Sequence, residues 1–312
     1  MIPCTYALQE KLVARRLYNI LFYLLLPGIL ARMWWRGRRA PAYRQRIMER
    51  LALALPKRHY DLWVHAVSVG ETLAAVPLVK RLLEVYPDLS IMVTNMTPTG
   101  SERAQSLLGD KVGHHYLPWD FYMAQQCWLK AVRPRLLIIM ETELWPNVLW
   151  AAHRHGVKVL LANARLSQRS AHGYGRWSAL VQPMLSCLDS VAAQETATAE
   201  RFIHLGVPKN RVTVTGSLKF DMPQPILNRM DLRCRWHVDA RVILVAGSTH
   251  EGEESLVLEA FRGLLGRYPS ALLILVPRHP ERFADVERLL NTQQWRWQKR
   301  SDEQMVARAT QI

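Results

Sequence analysis

A carboxylate separates a short apolar segment from an apolar-periodic one near position 70. The sequence runs from a predicted strand, Leu62–Ala66, through a turn to Glu71, and a helix is predicted from about Thr72. A carboxylate at a helix N-terminus faces free backbone N–H groups and the positive end of the dipole, so we expect Glu71 to be ionised near neutral pH. In an open α/β sheet, ligands also bind at this position. A purely stabilising carboxylate would give the same pattern.

Other charged and polar residues follow later strands or lie in loops. They are Glu141, Arg165, Lys219, Ser248 and Arg278. If two α/β units face each other, carboxylates would lie on one wall and cations on the hinge and the other wall. This arrangement suits attack by a neutral hydroxyl on a substrate with a phosphate leaving group. The carboxylate would take the proton, and the cations would stabilise the charge that builds on phosphate.

Each of these residues also has a structural explanation. Acidic residues such as Glu141 are common before a helix start, and Lys219 and Arg278 would often be simply exposed. Ser248 has the spacing of a capping box with Glu251. His65 lies inside an apolar strand, which is more typical of a hydrogen-bonded core histidine than of a base.

Several function classes lack support in the sequence. It contains no GxGxxG, P-loop or HExxH motif, so a dinucleotide fingerprint, ATP hydrolysis and zinc proteolysis are not indicated. The four cysteines are isolated, with no CxxC pair and no histidine at ligand spacing, which fits a reducing compartment. We therefore expect no metal and no cofactor.

Repeated strand–helix–strand patterns predict an α/β fold with a parallel sheet covered on both faces. The aperiodic, proline-containing segment around 217–225 predicts a linker, and a second, shorter α/β unit follows it. The predicted domains are a membrane anchor and basic connector (1–58), a first Rossmann-like domain (59–216), the linker (217–225) and a partial second domain (226–312).

Excess positive charge is concentrated at the N-terminus. The chain has a net charge of +15, and residues 1–60 contain twelve Lys and Arg but only two Glu. This charge flanks an apolar run, Leu17–Ala31, so it favours an anionic membrane surface over nucleic acid.

The apolar run is shorter than the roughly 20 residues that span a bilayer comfortably, and we expect Pro27-Gly28 to interrupt its helix. Trp34-Trp35 is typical of a headgroup boundary, and the basic flank places the main body in the cytoplasm. The segment could span the membrane, lie in its interface or be a buried core helix.

Seven phrases in a fixed order carry a family resemblance over about residues 15 to 290. They are SVGET, TNMTPTGSERA, METELWPN, NARLS, VTGSLKFD, STHEGEE and VPRHPERF. In this order they closely resemble the 3-deoxy-D-manno-octulosonic acid (Kdo) transferases of Gram-negative bacteria. The resemblance implies a GT-B fold of two Rossmann-like domains, an N-terminal membrane segment and transfer without a metal.

The resemblance also implies substrates and residue roles. The implied reaction is an inverting transfer of Kdo from CMP-Kdo to lipid IVA at the cytoplasmic side of the inner membrane. By motif position, Glu71 matches the general base, and Glu141 and Lys219 match positions that stabilise the transition state. Pro277 and Arg278 match contacts to the CMP of the donor. Ser68, Gly70, Arg165 and Ser248 are further candidates for the acceptor or donor loops.

One departure from the family pattern concerns the C-terminal part. The family continues with a GDTMGEL-like and a GHNxLEPA-like motif that grip CMP, and this sequence ends at Ile312 before either. The sequence is therefore expected to be C-terminally truncated, as a fragment or as a natural form. Two alternatives to the transferase remain: a non-catalytic, membrane-attached lipid-binding remnant, and another GT-B nucleotide-sugar enzyme such as an epimerase.

Overall fold

The computed structural model describes residues 3–39, 41–221, 236, 238, 240–302 and 305–312. The chain divides into two compact units, Met1–Pro223 and Gln224–Ile312. Their boundary falls in the segment 217–225, of which residues 222–225 lie outside the described residues. The first unit contains the predicted anchor and connector together with the predicted first domain, and the domain boundaries stay predictions.

The first unit is built on a seven-stranded parallel sheet, which confirms the predicted α/β class. The strand order is β3-β2-β1-β4-β5-β6-β7, and every neighbouring pair is parallel. The strands are β1 Leu62–His65, β2 Ile91–Asn95, β3 Gly113–Tyr116, β4 Leu136–Met140, β5 Lys158–Ala164, β6 Ser190–Ala193 and β7 Val212–Val214. The chain leaves β1 in one direction and returns to its other side as β4, so the order reverses between these two strands.

Helices cover both faces of this sheet. They are α1 Pro3–Arg39, α2 Ile47–Arg50, α3 Val69–Val85, α4 Pro98–Leu108, α5 Tyr122–Val132, α6 Pro146–Arg154, α7 Gln168–Arg176, α8 Ser178–Ser186 and α9 Thr196–His204. Helices α3 and α4 pack on one face of the sheet, whereas α5, α6, α8 and α9 pack on the other. The central strands are buried between these layers, which explains why β4 consists only of apolar residues.

Hydroxyl side chains cap helices α3 and α4, and α3 begins before its predicted start at about Thr72. Helix α3 begins at Val69 and is capped by Ser68, whose hydroxyl accepts from the Glu71 N–H. Helix α4 is capped by Thr97, whose hydroxyl accepts from the Gly100 N–H. In both cases a hydroxyl residue with extended backbone accepts a free N–H of the first helical turn, as a cap requires.

Helix α1 is continuous, so the predicted interruption at Pro27-Gly28 is wrong. It runs from Pro3 to Arg39 with Pro27 inside it. Proline removes one backbone donor and crowds the carbonyl four residues earlier. Packing offsets this loss, because side chains on both sides of Pro27 lie against the aromatic pair Trp119 and Phe121. The segment Leu12–Arg38, with a mean hydropathy of 1.4, is long and apolar enough to cross a membrane.

The second unit has a two-stranded parallel sheet and two helices among its described residues. These are β8 Ile243–Thr249, β9 Leu272–Pro277, α10 Glu253–Arg267 and α11 Phe283–Thr292. Its core is formed by residues of all four elements together with Trp295 and Ile312. Helix α10 begins after Gly252, at φ 90°, so the alternative of a structural cap formed by Ser248 is wrong.

Candidate active site

The candidate residues of the first unit lie where the strand order reverses. Glu71 follows β1, while Glu141 and Glu143 follow β4, its neighbour in the sheet. Lys219 lies in a short 3-10 helix, Leu218–Asp221, that contacts α3. The carboxyl ends of two parallel strands that diverge in this way form the crevice in which open α/β sheets bind ligands.

The Glu71 carboxylate is held by its own turn. The Ser68 hydroxyl donates to Oε1 at 2.7 Å, and the Val67 N–H donates to Oε2 at 2.7 Å. The residue is 7% exposed. Both oxygens are therefore fixed in direction, and Ser68 both caps α3 and orients the carboxylate.

Burial raises the pKa of Glu71 to about 7. The hydrogen bonds from Ser68 and Val67 act in the opposite direction, and the charges of Glu143 and Glu141 raise the pKa further. The expectation that a helix N-terminus keeps Glu71 ionised near neutral pH is therefore wrong. Desolvation outweighs the two hydrogen bonds, so the group exchanges its proton near pH 7. A general base is most effective with a pKa close to the working pH.

Glu141 and Lys219 form an ion pair, with Lys219 Nζ 3.1 Å from Glu141 Oε1. The lysine side chain is 47% exposed and the glutamate side chain 21%. The 3-10 helix that carries Lys219 is fixed by the Leu218 N–H, which donates to Asn163 Oδ1 at 3.1 Å. Two residues 78 positions apart in the sequence thus meet at the edge where Glu71 lies.

The backbone is strained at this edge. Glu141 has φ 55° and Asn163 has φ 54°, both in the left-handed region that non-glycine residues seldom adopt. Such strain costs on the order of 1–3 kcal/mol per residue and is concentrated at functional sites. It turns the chain immediately after β4 and near the end of β5, which brings Glu141 and Asn163 to the Lys219 segment.

Further side chains surround Glu143. The Trp145 indole N–H donates to Glu143 Oε2 at 3.0 Å, and burial together with the Glu143 charge raises the pKa of Tyr174. Sequence reasoning missed Tyr174 because α7, which carries it, is polar overall and contains few apolar residues. Glu143 could have been found, because it follows a buried strand as Glu141 does.

The remaining candidates of the first unit have varied surroundings. Ser68 is the cap of α3, and Gly70 lies exposed in its first turn. The Arg165 side chain is exposed, and its carbonyl accepts a hydrogen bond from the Thr142 hydroxyl. His65 is buried, with Nδ1 2.9 Å from Thr94 Oγ1, and burial lowers its pKa to about 3. It is therefore a neutral core residue, as its strand position indicates.

An open cleft lies between α7 and α9, with a volume of about 710 Å³. Its walls include His172, Arg176, Arg201 and His204 together with one acidic residue, Glu200, whereas Glu71 is not among its lining residues. The cleft thus offers mainly basic side chains next to the helices that follow β5 and β6.

Pro277, Arg278 and Ser248 belong to the second unit. Pro277 ends β9, and the Arg278 N–H donates to the Thr249 carbonyl at 3.0 Å. Ser248 is exposed with φ 59°. These contacts join the ends of β8 and β9, so the two loops that follow the strands are tied together.

A partly buried ion pair supports the same loops. Arg282 donates to both carboxylate oxygens of Glu254, at 2.8 and 3.1 Å, and the Thr249 hydroxyl donates to one of them at 2.9 Å. These hydrogen bonds and the Arg282 charge outweigh desolvation and lower the pKa of Glu254. Sequence reasoning missed this pair, because its members are 28 positions apart. Within the described ranges, no group of three or more His, Cys, Asp or Glu could hold a metal ion.

Residues 45–222 match the family model described as 3-Deoxy-D-manno-octulosonic-acid transferase (kdotransferase). The 3-deoxy-D-manno-octulosonic acid transferase of Haemophilus influenzae is 41% identical over 304 residues, covering 96% of this chain and 71% of that protein. The chain belongs to the Kdo transferase family. The family is one of glycosyltransferases, which confirms the resemblance drawn from the seven motifs.

Other Kdo transferases are also similar. That of Bordetella pertussis is 36% identical, covering 87% of this chain and 65% of the relative. A probable mitochondrial Kdo transferase of Arabidopsis thaliana is 32% identical, covering 85% and 61%. The chain thus spans 61% to 71% of the length of these three relatives.

Two solved structures of other proteins resemble this chain in fold. The UDP-GlcNAc 2-epimerase of Neisseria meningitidis has a TM-score of 0.53 at 14% identity, covering 74% of this chain and 69% of the epimerase. The corresponding enzyme of Methanocaldococcus jannaschii has a TM-score of 0.52 at 12% identity, covering 75% and 69%. At these identities the likeness concerns the fold alone, and it agrees with the expected GT-B class.

Proposed function

We propose that this protein transfers Kdo from CMP-Kdo to lipid IVA, with inversion at the anomeric carbon. Membership of the Kdo transferase family supports the transfer of Kdo by a glycosyltransferase. The observation that carries the residue assignment is Glu71, a fixed and buried carboxylate with a pKa of about 7 at the point where the strand order reverses.

In the proposed reaction, Glu71 accepts the proton of the acceptor hydroxyl as its oxygen attacks the anomeric carbon of Kdo. The new carbon–oxygen bond forms while the bond from that carbon to the phosphate oxygen of CMP breaks. CMP leaves with the bonding electron pair. A base with a pKa near neutral is partly deprotonated in the cell and still holds the proton firmly once it has been transferred.

Lys219 supplies positive charge for the departing phosphate. Its pairing with Glu141 holds the ammonium group at the strand edge, and the half-exposed lysine can exchange this partner for a substrate oxygen. Arg278 and Pro277 are proposed to contact the CMP moiety, on the basis of their place in the PRHP motif. The mainly basic cleft between α7 and α9 offers Arg176 and Arg201 to the anionic groups of a phosphorylated acceptor.

Helix α1 is proposed to hold the protein at the cytoplasmic side of the inner membrane, where a lipid acceptor is accessible. One side of α1 packs on the first unit through Phe22, Leu26 and Ile29. Large apolar side chains elsewhere on the helix are exposed: Leu12, Val13, Leu17, Ile20, Leu21, Leu24, Leu25, Trp34 and Trp35. A surface of this kind is typical of a helix that contacts lipid.

The test is a transfer assay with labelled CMP-Kdo and lipid IVA in detergent. We expect a Kdo-lipid product and one CMP for each sugar transferred. Glu71→Gln should lower the rate about 10²-fold or more, because it removes the proton acceptor. Glu102→Gln is the matched control, since it removes one carboxylate from an exposed position on α4.

Three outcomes would contradict the proposal. Lipid IVA binding without release of CMP would indicate a lipid-binding protein rather than a transferase. Free sugar without a lipid-linked product would indicate other nucleotide-sugar chemistry. A Glu71→Gln variant with the wild-type rate would remove the base assignment.

A further inference from the structure

A small cavity lies between α1 and the body of the first unit. Helix α1 runs antiparallel to α6 where the two helices contact each other. Asn147, near the start of α6, donates to Asn19 Oδ1 at 2.7 Å, and Arg15, earlier in α1, lies over the ring of Trp150, later in α6. The cavity beside this contact has a volume of about 270 Å³ and is lined by Leu12, Arg15, Arg16, Asn19, Tyr122 and Arg154.

Three guanidinium groups line this cavity. The Arg15 guanidinium lies 4.5 Å from the Trp150 ring centroid and 5.4 Å from that of Tyr122. Arg154 donates to the Tyr122 hydroxyl at 3.0 Å. Among the side chains that the structure describes, no carboxylate forms an ion pair with Arg15, Arg16 or Arg154. Aromatic partners therefore hold Arg15 and Arg154 in place without neutralising their charge. Both guanidinium groups can bind an anion.

The chemistry of these groups favours a phosphate. Guanidinium groups bind phosphate oxygens through paired, parallel hydrogen bonds, and prior stacking on aromatic rings reduces the entropy lost on binding. One water occupies about 30 Å³ of liquid. The cavity therefore has room for a phosphate group together with several waters.

The surroundings of the cavity favour a lipid over a free anion. Leu12, which lines it, is exposed, and the neighbouring turns of α1 expose Leu17, Leu21 and Leu24. An occupant with a phosphate in the cavity would therefore have its other end against an apolar helix surface. A phospholipid has this combination of parts, whereas inorganic phosphate does not.

We propose that this cavity binds the phosphodiester headgroup of an anionic membrane phospholipid beside α1. Arg154 and Tyr122 come from α6 and α5, so the site connects the globular body, and not only α1, to the bilayer surface. No residue of the cavity belongs to the Glu71 site. The proposal is therefore independent of the transfer reaction and of its donor and acceptor.

The test measures binding of the full chain to vesicles of phosphatidylcholine alone and of phosphatidylcholine mixed with phosphatidylglycerol. Arg154→Gln should lower the partition coefficient for the mixed vesicles at least tenfold and leave that for pure phosphatidylcholine within twofold. Arg103→Gln is the matched control, because it removes one exposed charge from α4, on the opposite face of the sheet. It should change neither partition coefficient by more than about twofold, because a single charge far from the bilayer interacts only weakly with the surface potential of the membrane.

Arg154→Lys separates a headgroup site from diffuse attraction. It keeps the charge but loses the fork of donors, so a specific site predicts a loss close to that of Arg154→Gln. An Arg154→Lys variant that binds mixed vesicles like the wild type would overturn the proposal. Equal losses for the Arg154→Gln and Arg103→Gln variants would also overturn it, as would an equal loss of Arg154→Gln on pure phosphatidylcholine.

A competition arm distinguishes the lipid from free phosphate. Inorganic phosphate at concentrations that match the accessible phosphatidylglycerol should displace less than half of the bound protein, at constant ionic strength. Complete displacement would assign the cavity to a free anion and refute the lipid headgroup. Circular dichroism and the melting temperature of each variant show whether it is folded.

Discussion

Removing the Glu71 carboxylate should stabilise the fold at alkaline pH while abolishing its proposed chemistry. In Glu71→Gln, the new amide can donate to Ser68 Oγ and accept from the Val67 N–H, so both existing hydrogen-bond positions remain occupied. What the substitution removes is a buried negative charge next to Glu143 and Glu141. When burial raises the pKa of a carboxyl group, the ionised form of that group destabilises the folded state.

The magnitude follows from the shift in pKa. Folding raises the Glu71 pKa from 4.5 to about 7. Each unit is worth about 1.4 kcal/mol, so the ionised group lowers the free energy of unfolding by about 3 kcal/mol. The contribution of this group to stability is fully present below pH 4.5 and is lost as the pH rises through about 7. The stability advantage of Glu71→Gln should therefore be small near pH 5 and reach about 3 kcal/mol near pH 8.

The assay is urea unfolding of the wild type and of the Glu71→Gln variant at a series of pH values, followed by tryptophan fluorescence. At each pH the free energy of unfolding of the wild type is subtracted from that of the variant. The contributions of all other titrating groups are the same in both proteins and cancel in this difference. Glu102→Gln, which removes an exposed carboxylate, should show no comparable pH dependence. A Glu71→Gln variant that is destabilised equally at all pH values would refute the reasoning, since the carboxylate would then be a structural cap.

Two further substitutions test other parts of the structure. Lys219→Met should reduce kcat/KM about 10²-fold in the transfer assay. It should change the free energy of unfolding by less than about 1 kcal/mol, because the lysine is half exposed and ion pairs open to solvent contribute little. Lys158→Met, which breaks the exposed pair with Asp189, is its control, and an equal loss of activity would contradict a role for Lys219. Tyr18→Phe removes the hydroxyl that donates to the buried Asp120 at 2.7 Å. It should speed hydrogen exchange in α1 and cost about 1.5–3 kcal/mol. Tyr23→Phe is the control, because the Tyr23 hydroxyl makes no hydrogen bond to the described residues, and it should leave hydrogen exchange in α1 unchanged. Unchanged exchange in Tyr18→Phe would show that Asp120 does not fix α1.

Regular elements with strong patterns could be predicted from the sequence. Strand β4, Leu136–Met140, coincides with an uninterrupted apolar run in the sequence, which is why such a strand can be recognised without the structure. Helix α7 is polar overall and has no fully buried residue, so its sequence lacks the run of apolar positions by which other helices can be recognised. Helix α1 was predicted too short, since the sequence does not show the contacts that keep it helical through Pro27.

The site residues could be proposed from the sequence, but their physical state could not. The position of Glu71 after a strand is visible in the sequence, whereas its burial and the nearby charges of Glu141 and Glu143 arise only when β1 and β4 pair. The helix N-terminus alone therefore predicts an ionised carboxylate, whereas burial in the folded protein raises the pKa of Glu71 to about 7. The pairing of Glu141 with Lys219 likewise depends on the fold, because a sequence pattern does not reveal a contact across 78 positions.

The most direct test of the account is the pH dependence of kcat/KM for Kdo transfer by the wild type. If Glu71 is the base, kcat/KM should fall about tenfold for each pH unit below about 7 and level off above it, because only the ionised carboxylate accepts a proton. The residual activity of Glu71→Gln should lack this inflection. A wild-type kcat/KM that stays constant from pH 8 down to pH 6, or an unchanged inflection in Glu71→Gln, would contradict the central claim.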